Sequence, residues 1–218
     1  MLSHRANVTA SALLAVMACA AARVLFEVPF TTPLAIHFDA AGNPNGWAPA
    51  WIALALIPLI ALGLLGLAAL LPKIGPRSAN LFRSQSAVQT IFLAVLGLLT
   101  AVQLVIVAQA LHVVMIVARI IPCAVGLLLV FTGNVLGKMR WNYTIGIRTP
   151  WTLANERVWD HTHRFAGRLF VAIGALVAIG VWWKPVQGHE AALMMTGAVA
   201  IVVLPVLRSY QLWKAHQA

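Results

Sequence analysis

The chain has 218 residues, of which 61% are apolar and 9% charged, and its mean hydropathy is +0.90. These values lie far from those of a soluble domain and indicate an integral membrane protein. The formal charge of +10 would suggest nucleic-acid binding in a soluble protein, but here the basic residues fall between apolar runs, where they set membrane orientation, so no direct binding of nucleic acid is expected.

Six apolar runs are each long enough to cross a bilayer, which predicts an all-α membrane protein with six transmembrane helices. Proline and glycine residues within 42–46 and 72–76 bound the second of these runs. Only residues 110–112 separate the third run from the fourth, so a tight hairpin is predicted there. The predicted spans are residues 8–28, 49–71, 88–110, 113–136, 165–183 and 190–207.

The first run has a second interpretation. His4 and Arg5, followed by an apolar stretch and the small residues at 18–20, are also typical of a secretory signal peptide. The apolar character continues as far as Phe30, which favours a retained span. Cleavage would leave the orientation of the other five spans unchanged.

The lysines and arginines predict the orientation, because basic residues of short loops stay in the cytoplasm. Alternate connections hold nearly all of them, whereas the other set of connections holds only Lys184. We therefore expect both termini and the 137–164 loop in the cytoplasm and residues 29–48 outside. Arg23 and Arg119 lie near the outer ends of spans, where a long side chain reaches the headgroups.

The chain divides into three predicted units. Residues 1–71 form a two-helix unit with the extracytoplasmic loop 29–48. Residues 72–112 add the third helix and a basic connection, and residues 113–218 form the unit that contains the 137–164 loop.

Within that loop, Thr149 followed by Pro150 predicts the start of a short helix over about 150–162, since threonine caps helices and proline suits the first helical position. Tryptophan and apolar residues recur in it at helical spacing, which is typical of a helix lying in the membrane interface. The recurring positions are Trp151, Ala154, Val158 and Thr162.

Arg140 and Arg148 flank a predicted backbone turn and form a candidate anion site. Guanidinium groups match phosphate or carboxylate groups with two hydrogen bonds. Anchoring to lipid headgroups in general is the alternative to a site for a specific partner.

Neither a metal site nor a catalytic site is predicted. Asp160, His161 and His163 do not predict a metal centre, because helix positions two apart point in different directions. Glu156 and His163 are the obvious acid-base candidates, but neither a serine nor a cysteine stands beside a histidine in a recognisable constellation. We expect a non-enzymatic protein without a cofactor.

Two segments resemble known families. The run NYTIGIRTPWTL from Asn142 to Leu153, with residues on both sides of it, resembles the signature of the SdpI family. The run IHFDAAGNPNGW from Ile36 to Trp47 resembles the loop of an unknown-function domain that often precedes that family's segment. The flanking matches are Gly133, Asn134, Arg140, Asn155, Glu156, Trp159, Thr162, His163 and Gly167.

The resemblance implies a multi-pass protein of the bacterial plasma membrane that gives immunity to a secreted antimicrobial killing-factor peptide. It also implies, for one branch of the family, signalling by sequestration of a small cytoplasmic transcriptional repressor. The alternative is a transporter of small solutes or lipids, with Gln103, Asn134 and Arg119 lining a path between helices. Membrane lipids, the peptide outside and the repressor inside are thus the expected partners.

Candidate binding residues lie at both ends of the predicted bundle. Arg140 and Arg148 are expected to bind an anionic group, Thr149 to cap the short helix, and the tryptophans to seat that helix at the interface. The cytoplasmic candidates are Asn134, Arg140, Asn142, Gly146, Arg148, Thr149, Trp151, Thr152, Trp159 and His163. The extracytoplasmic candidates are His37, Phe38, Asp39, Gly42 and Trp47.

Overall fold

The structure is a computed structural model that describes residues 2–74 and 78–215. Six of its helices are long and apolar enough to cross a membrane, which confirms the predicted number of spans. Two short helices, the third and the sixth, and a 3₁₀ turn at Lys184–Val186 lie in the connections. In chain order the helices are α1 (His4–Leu25), α2 (Ala50–Ile74), α3 (Ser78–Arg83), α4 (Gln85–Ala110), α5 (Val117–Leu136), α6 (Pro150–Ala154), α7 (Glu156–Gly180) and α8 (Glu190–Ala215).

The predicted extracytoplasmic loop contains an antiparallel hairpin that the sequence did not predict. Strands β1 (Pro33–Phe38) and β2 (Pro44–Pro49) pair with Leu34 opposite Ala48. An isolated two-stranded hairpin is at best marginally stable, but here Leu34 is buried in an apolar cluster with residues of α1, α2 and α4. We call residues 33–49 the outer hairpin.

Two helix boundaries differ from the prediction. Helix α2 passes through Pro72 and continues to Ile74, and the predicted breakers Gly75 and Pro76 lie outside the described residues. The tight hairpin predicted at 110–112 is wrong, because α5 begins only at Val117. His112 has a φ of 56° and ends α4 in a Schellman motif, in which its N–H and the next one donate back into the last turn.

The short helix predicted over 150–162 is also interrupted. It ends at Ala154, and Asn155 adopts an extended backbone with φ −143° and ψ 123°. The Asn155 side chain accepts hydrogen bonds from the N–H groups of Arg157 and Val158 and so caps α7. The fifth span therefore begins at Glu156 rather than at residue 165.

The bundle has two groups of helices. Helices α1, α2 and α4 pack together, α5 packs along α7, and α7 packs on α8. Helix α4 also packs against α5 and thereby joins the two groups. The outer hairpin lies at one end of the bundle, while both described chain ends lie at the other, where Ser3 bonds to Gln89 at the start of α4 and Ser209 of α8 bonds to Thr149.

Helices α5 and α7 approach each other backbone to backbone. A Cβ atom on Gly133 would lie 2.6 Å from the Gly167 carbonyl oxygen, and one on Gly126 would lie 2.6 Å from the Gly174 carbonyl oxygen. Small residues at such interfaces let membrane helices approach closely. The end of α5 and the start of α7 thus form a fixed base for the chain segment between them.

Candidate functional site

The segment between α5 and α7, residues 137–155, is a compact loop that we call the signature loop. Asn142 lies at its centre, fully buried. Its amide nitrogen donates to the carbonyls of Arg140 and Ile145, at 2.8 and 3.1 Å. Its oxygen accepts from the N–H groups of Thr144 and Ile145, both at 2.8 Å. All four hydrogen-bonding positions of the amide are used, so Asn142 fixes the turn.

Trp159 and His163, one turn apart on α7, form the floor of the loop, and both are fully buried. The Trp159 indole N–H donates to the Met139 carbonyl at 2.8 Å. The Ile147 N–H donates to His163 Nε2 at 2.9 Å. Because Nε2 accepts, the proton of the neutral ring resides on Nδ1, which donates to the Trp159 carbonyl at 2.9 Å. The rings stack at 3.9 Å.

A capping box closes the loop at α6. The Thr152 N–H donates to the Thr149 hydroxyl, and the Thr149 N–H donates to the Thr152 hydroxyl, which confirms the predicted cap. The Thr152 hydroxyl also donates to the Ile147 carbonyl at 2.8 Å. The Thr149 hydroxyl lies 3.0 Å from the Ser209 hydroxyl on α8, so the cap ties the loop to the last helix.

Sequence reasoning missed the contacts that fix the loop to the first half of the chain. The Arg140 N–H donates to the Ser84 hydroxyl at 2.9 Å, and the Asn80 side-chain amide donates to the Trp141 carbonyl at 2.9 Å. The Ser84 hydroxyl in turn donates to the Asn80 carbonyl. Nothing in the local pattern at residues 80 and 84 indicates these partners, since they are about 60 residues away.

The predicted cytoplasmic residues fall into two groups. Asn142, Thr149, Thr152, Trp159 and His163 are buried, so the prediction that Trp159 lies at the interface is wrong. The indole fills the space between α7 and Met139 instead.

The remaining candidates are more accessible. Asn134, Arg140 and Arg148 are exposed, and Gly146 and Trp151 are half-buried. Arg148 donates to the Tyr143 carbonyl at 2.8 Å. The Trp151 ring packs on that of Tyr210 with centroids 5.1 Å apart.

At the other end of the bundle, Asp39 organises the tip of the outer hairpin. Its carboxylate accepts from the N–H groups of Ala41 and Asn43, at 2.9 and 2.8 Å, and from the Asn43 amide. Hydrogen bonds from Asn43, first from its backbone and then from its side chain, hold the pKa of Asp39 below its usual value. Gly42 follows with a φ of 83°, and a Cβ there would meet the Ala118 nitrogen at 2.8 Å.

A largely apolar cavity of about 550 Å³ lies beneath this tip, between the outer hairpin, α4, α5 and α8. We call it the outer cavity. Four of the predicted extracytoplasmic residues line it, namely His37, Phe38, Asp39 and Gly42. Trp47 stands on β2, 57% exposed. The other carboxylate of the lining is Glu190, which is 8% exposed and accepts from the Gly188 N–H at 2.8 Å.

The residues named for the transporter alternative lie apart. Gln103 is fully buried and donates to the Leu54 carbonyl at 3.2 Å, which ties α4 to α2. Arg119 is in the first turn of α5, while Asn134 is in its last turns. At 1.5 Å per residue, these two positions are about 22 Å apart along the helix.

Two segments of the chain are similar to known proteins. Residues 138–209 match the SdpI/YfhL protein family, and residues 12–62 match a domain of unknown function, DUF1648. The chain is 35% identical over 96 residues to the Immunity protein SdpI of Bacillus subtilis (strain 168). The match covers 44% of this chain and 45% of that relative's length. No solved structure matches the chain.

The two matched segments contain the two candidate sites. The SdpI/YfhL segment includes nearly all of the signature loop, and the DUF1648 segment includes the outer hairpin. The six spans and the similar immunity protein confirm a multi-pass protein of a bacterial plasma membrane. The resemblance found in the sequence is therefore confirmed: residues 138–209 match the SdpI/YfhL protein family, and residues 12–62, which precede them, match DUF1648.

Proposed function

We propose that the protein gives immunity to a secreted antimicrobial peptide. The observation that carries this proposal is the 35% identity to an immunity protein over 96 residues. The distribution of lysine and arginine predicts that the basic loop end of the bundle, with both termini, lies in the cytoplasm. The outer hairpin then faces the side from which a secreted peptide arrives.

The outer cavity is the proposed contact site for the peptide. Its wall is largely apolar, and Asp39 and Glu190 place two carboxylates in it. Membrane-active antimicrobial peptides combine lysine and arginine with a large apolar face. An apolar side chain of such a peptide would occupy the cavity while its basic groups meet the carboxylates. The hydrogen bonds that lower the pKa of Asp39 favour its charged form.

The exposed side of the signature loop is the proposed contact site for a small cytoplasmic repressor. The buried residues hold the loop in one conformation, which leaves Arg148 exposed and Trp151 half-buried beside Tyr210. Arginine and aromatic side chains are enriched among the residues that contribute most to binding at protein interfaces. A rigid surface also loses less conformational entropy on binding than a flexible loop does.

The experiment is survival of a peptide-sensitive bacterium that expresses this protein, challenged with a secreted killing peptide. We expect colony counts and membrane potential, read with a voltage-sensitive dye, to be maintained by the wild type and lost with an empty vector. Equal killing of both strains, at verified membrane levels of the protein, would contradict immunity to that peptide.

A second experiment tests the repressor. Addition of the peptide should move a small DNA-binding protein into the membrane fraction of the organism from which the chain comes. Arg148→Ala and Trp151→Ala should abolish that movement at matched membrane level. Unchanged movement in both variants would exclude this face of the loop.

A further inference from the structure

A polar cavity of about 420 Å³ lies at the loop end of the bundle, where the end of α3, the start of α4, residues 137–140 and the first turns of α7 meet. We call it the basic cavity. Its volume falls in the range of small-molecule sites. Neither the outer hairpin nor the exposed face formed by Arg148 and Trp151 takes part in it.

Four cationic side chains converge on this cavity. They are Arg83, Lys138, Arg140 and Arg164, and one carboxylate, Asp160, lies among them. In the described part of the chain, none of these five residues forms an ion pair within 4 Å. The ion pair that does form there joins Arg23 and Glu27, at the opposite end of the bundle. All four cationic side chains are exposed, so an anion can reach them from solvent, and it would be attracted by several positive charges at once.

The start of α4 adds to the positive potential. Ser84 stands at the cap position, but its hydroxyl is engaged with Asn80 and Arg140 and makes no capping bond. The N-terminal end of the helix at Ser86 and Ala87 forms part of the same cavity wall. The helix dipole favours an anion at such a position.

We propose that the basic cavity binds a phosphate ester. The arginines and Lys138 would surround the phosphate, because guanidinium and ammonium groups form charge-assisted hydrogen bonds with its oxygens. Asp160 is half-buried and accepts hydrogen bonds only, so it selects an ester that carries a hydroxyl or ammonium group beside the phosphate. A glycerophosphate group has this chemistry, whether it is a lipid headgroup or a soluble metabolite.

The test uses the full chain purified in a neutral detergent. Dissociation constants are measured for short-chain phosphatidylglycerol, for glycerol 3-phosphate and for monoacylglycerol, which lacks phosphate. We expect binding of phosphatidylglycerol and none of monoacylglycerol. Equal affinity for glycerol 3-phosphate would identify a soluble ligand as the source of the ester, and much weaker affinity would identify the lipid; both results support a phosphate-ester site.

Two double variants distinguish binding in the cavity from general attraction to a positively charged surface. Arg140→Gln with Arg164→Gln should weaken binding by about tenfold or more. Arg157→Gln with Arg208→Gln removes the same charge from exposed positions outside the cavity and should change binding by about twofold or less. Failure of both phosphate probes to bind, or equal weakening by the two double variants, would overturn the proposal.

Asp160→Asn tests whether this carboxylate recognises the hydroxyl or ammonium group beside the phosphate. Removing this negative charge should tighten the binding of inorganic phosphate, while the preference for glycerol 3-phosphate over inorganic phosphate should fall. Weaker binding of inorganic phosphate in Asp160→Asn, with an unchanged melting temperature of the ligand-free protein, would overturn the role of Asp160.

Discussion

Gly146→Ala should disrupt the signature loop while the six spans remain helical. Gly146 has a φ of 132°, and a Cβ there would lie 2.5 Å from His163 Nε2 and 2.8 Å from the Trp159 ring. Both of these side chains are fully buried, so neither has room to move. Backbone strain and overpacking together should cost about 2–5 kcal/mol. The expected result is fast amide hydrogen exchange across residues 140–149, with the helical circular dichroism retained.

Gly188→Ala is the matched control for backbone strain. Gly188 also has a positive φ, 85°, but a Cβ there meets nothing within 4 Å. In Gly188→Ala, backbone strain alone should therefore lower the free energy of unfolding, by about 1 kcal/mol or slightly more. Suppose that Gly146→Ala and Gly188→Ala had the same free energy of unfolding and the same amide hydrogen exchange across residues 140–149. The close packing of Gly146 on His163 and Trp159 would then not be what holds the loop.

Gly133→Ala should force α5 and α7 apart. The added Cβ would lie 2.6 Å from the Gly167 carbonyl oxygen and 2.8 Å from the Val171 nitrogen. These are backbone atoms, so relief requires movement of a whole helix. Overpacking of this kind should lower the free energy of unfolding by about 1–3 kcal/mol, measured by detergent titration of the purified protein.

Gly66→Ala on α2 gives the comparison for a helix glycine without neighbours, since a Cβ there meets nothing within 4 Å. In a helix interior, alanine is favoured over glycine by about 0.5–1 kcal/mol. The control should thus be as stable as the wild type or slightly more stable. A similar loss in both variants would mean that α5 and α7 do not depend on their close backbone contact.

The six spans were predictable because hydropathy over about 20 residues reports a single physical requirement, the transfer of a helix into hydrocarbon. The cap at Thr149 was predictable for a similar reason, since its partners lie within four residues. The helical spacing of Val158 and Thr162 correctly marked one face of a helix. That face is buried against protein rather than lying in the interface.

Contacts between distant segments account for what the sequence did not show. The Ser84 hydroxyl accepts a hydrogen bond from the Arg140 N–H, 56 residues further along the chain. Arg83, Lys138 and Arg164 line one cavity only because the end of α3, the signature loop and the first turns of α7 come together at the same end of the bundle. The outer hairpin is held by burial of Leu34 against helices rather than by its own strand propensity. The sequence did contain one sign that α7 begins before residue 165, because Asn155 is a residue type that commonly caps helix N-termini.

The most direct measurement of the central claim is peptide protection by a protein whose outer cavity is filled. Ala198 lies on α8 in the cavity wall, and Val202, about one turn further along, is 64% exposed and does not line the cavity. Ala198→Trp should abolish survival and maintenance of membrane potential under peptide challenge, while Val202→Trp should protect as the wild type does at matched membrane level. Full protection by Ala198→Trp, or equal loss in both variants, would contradict a peptide site in the outer cavity.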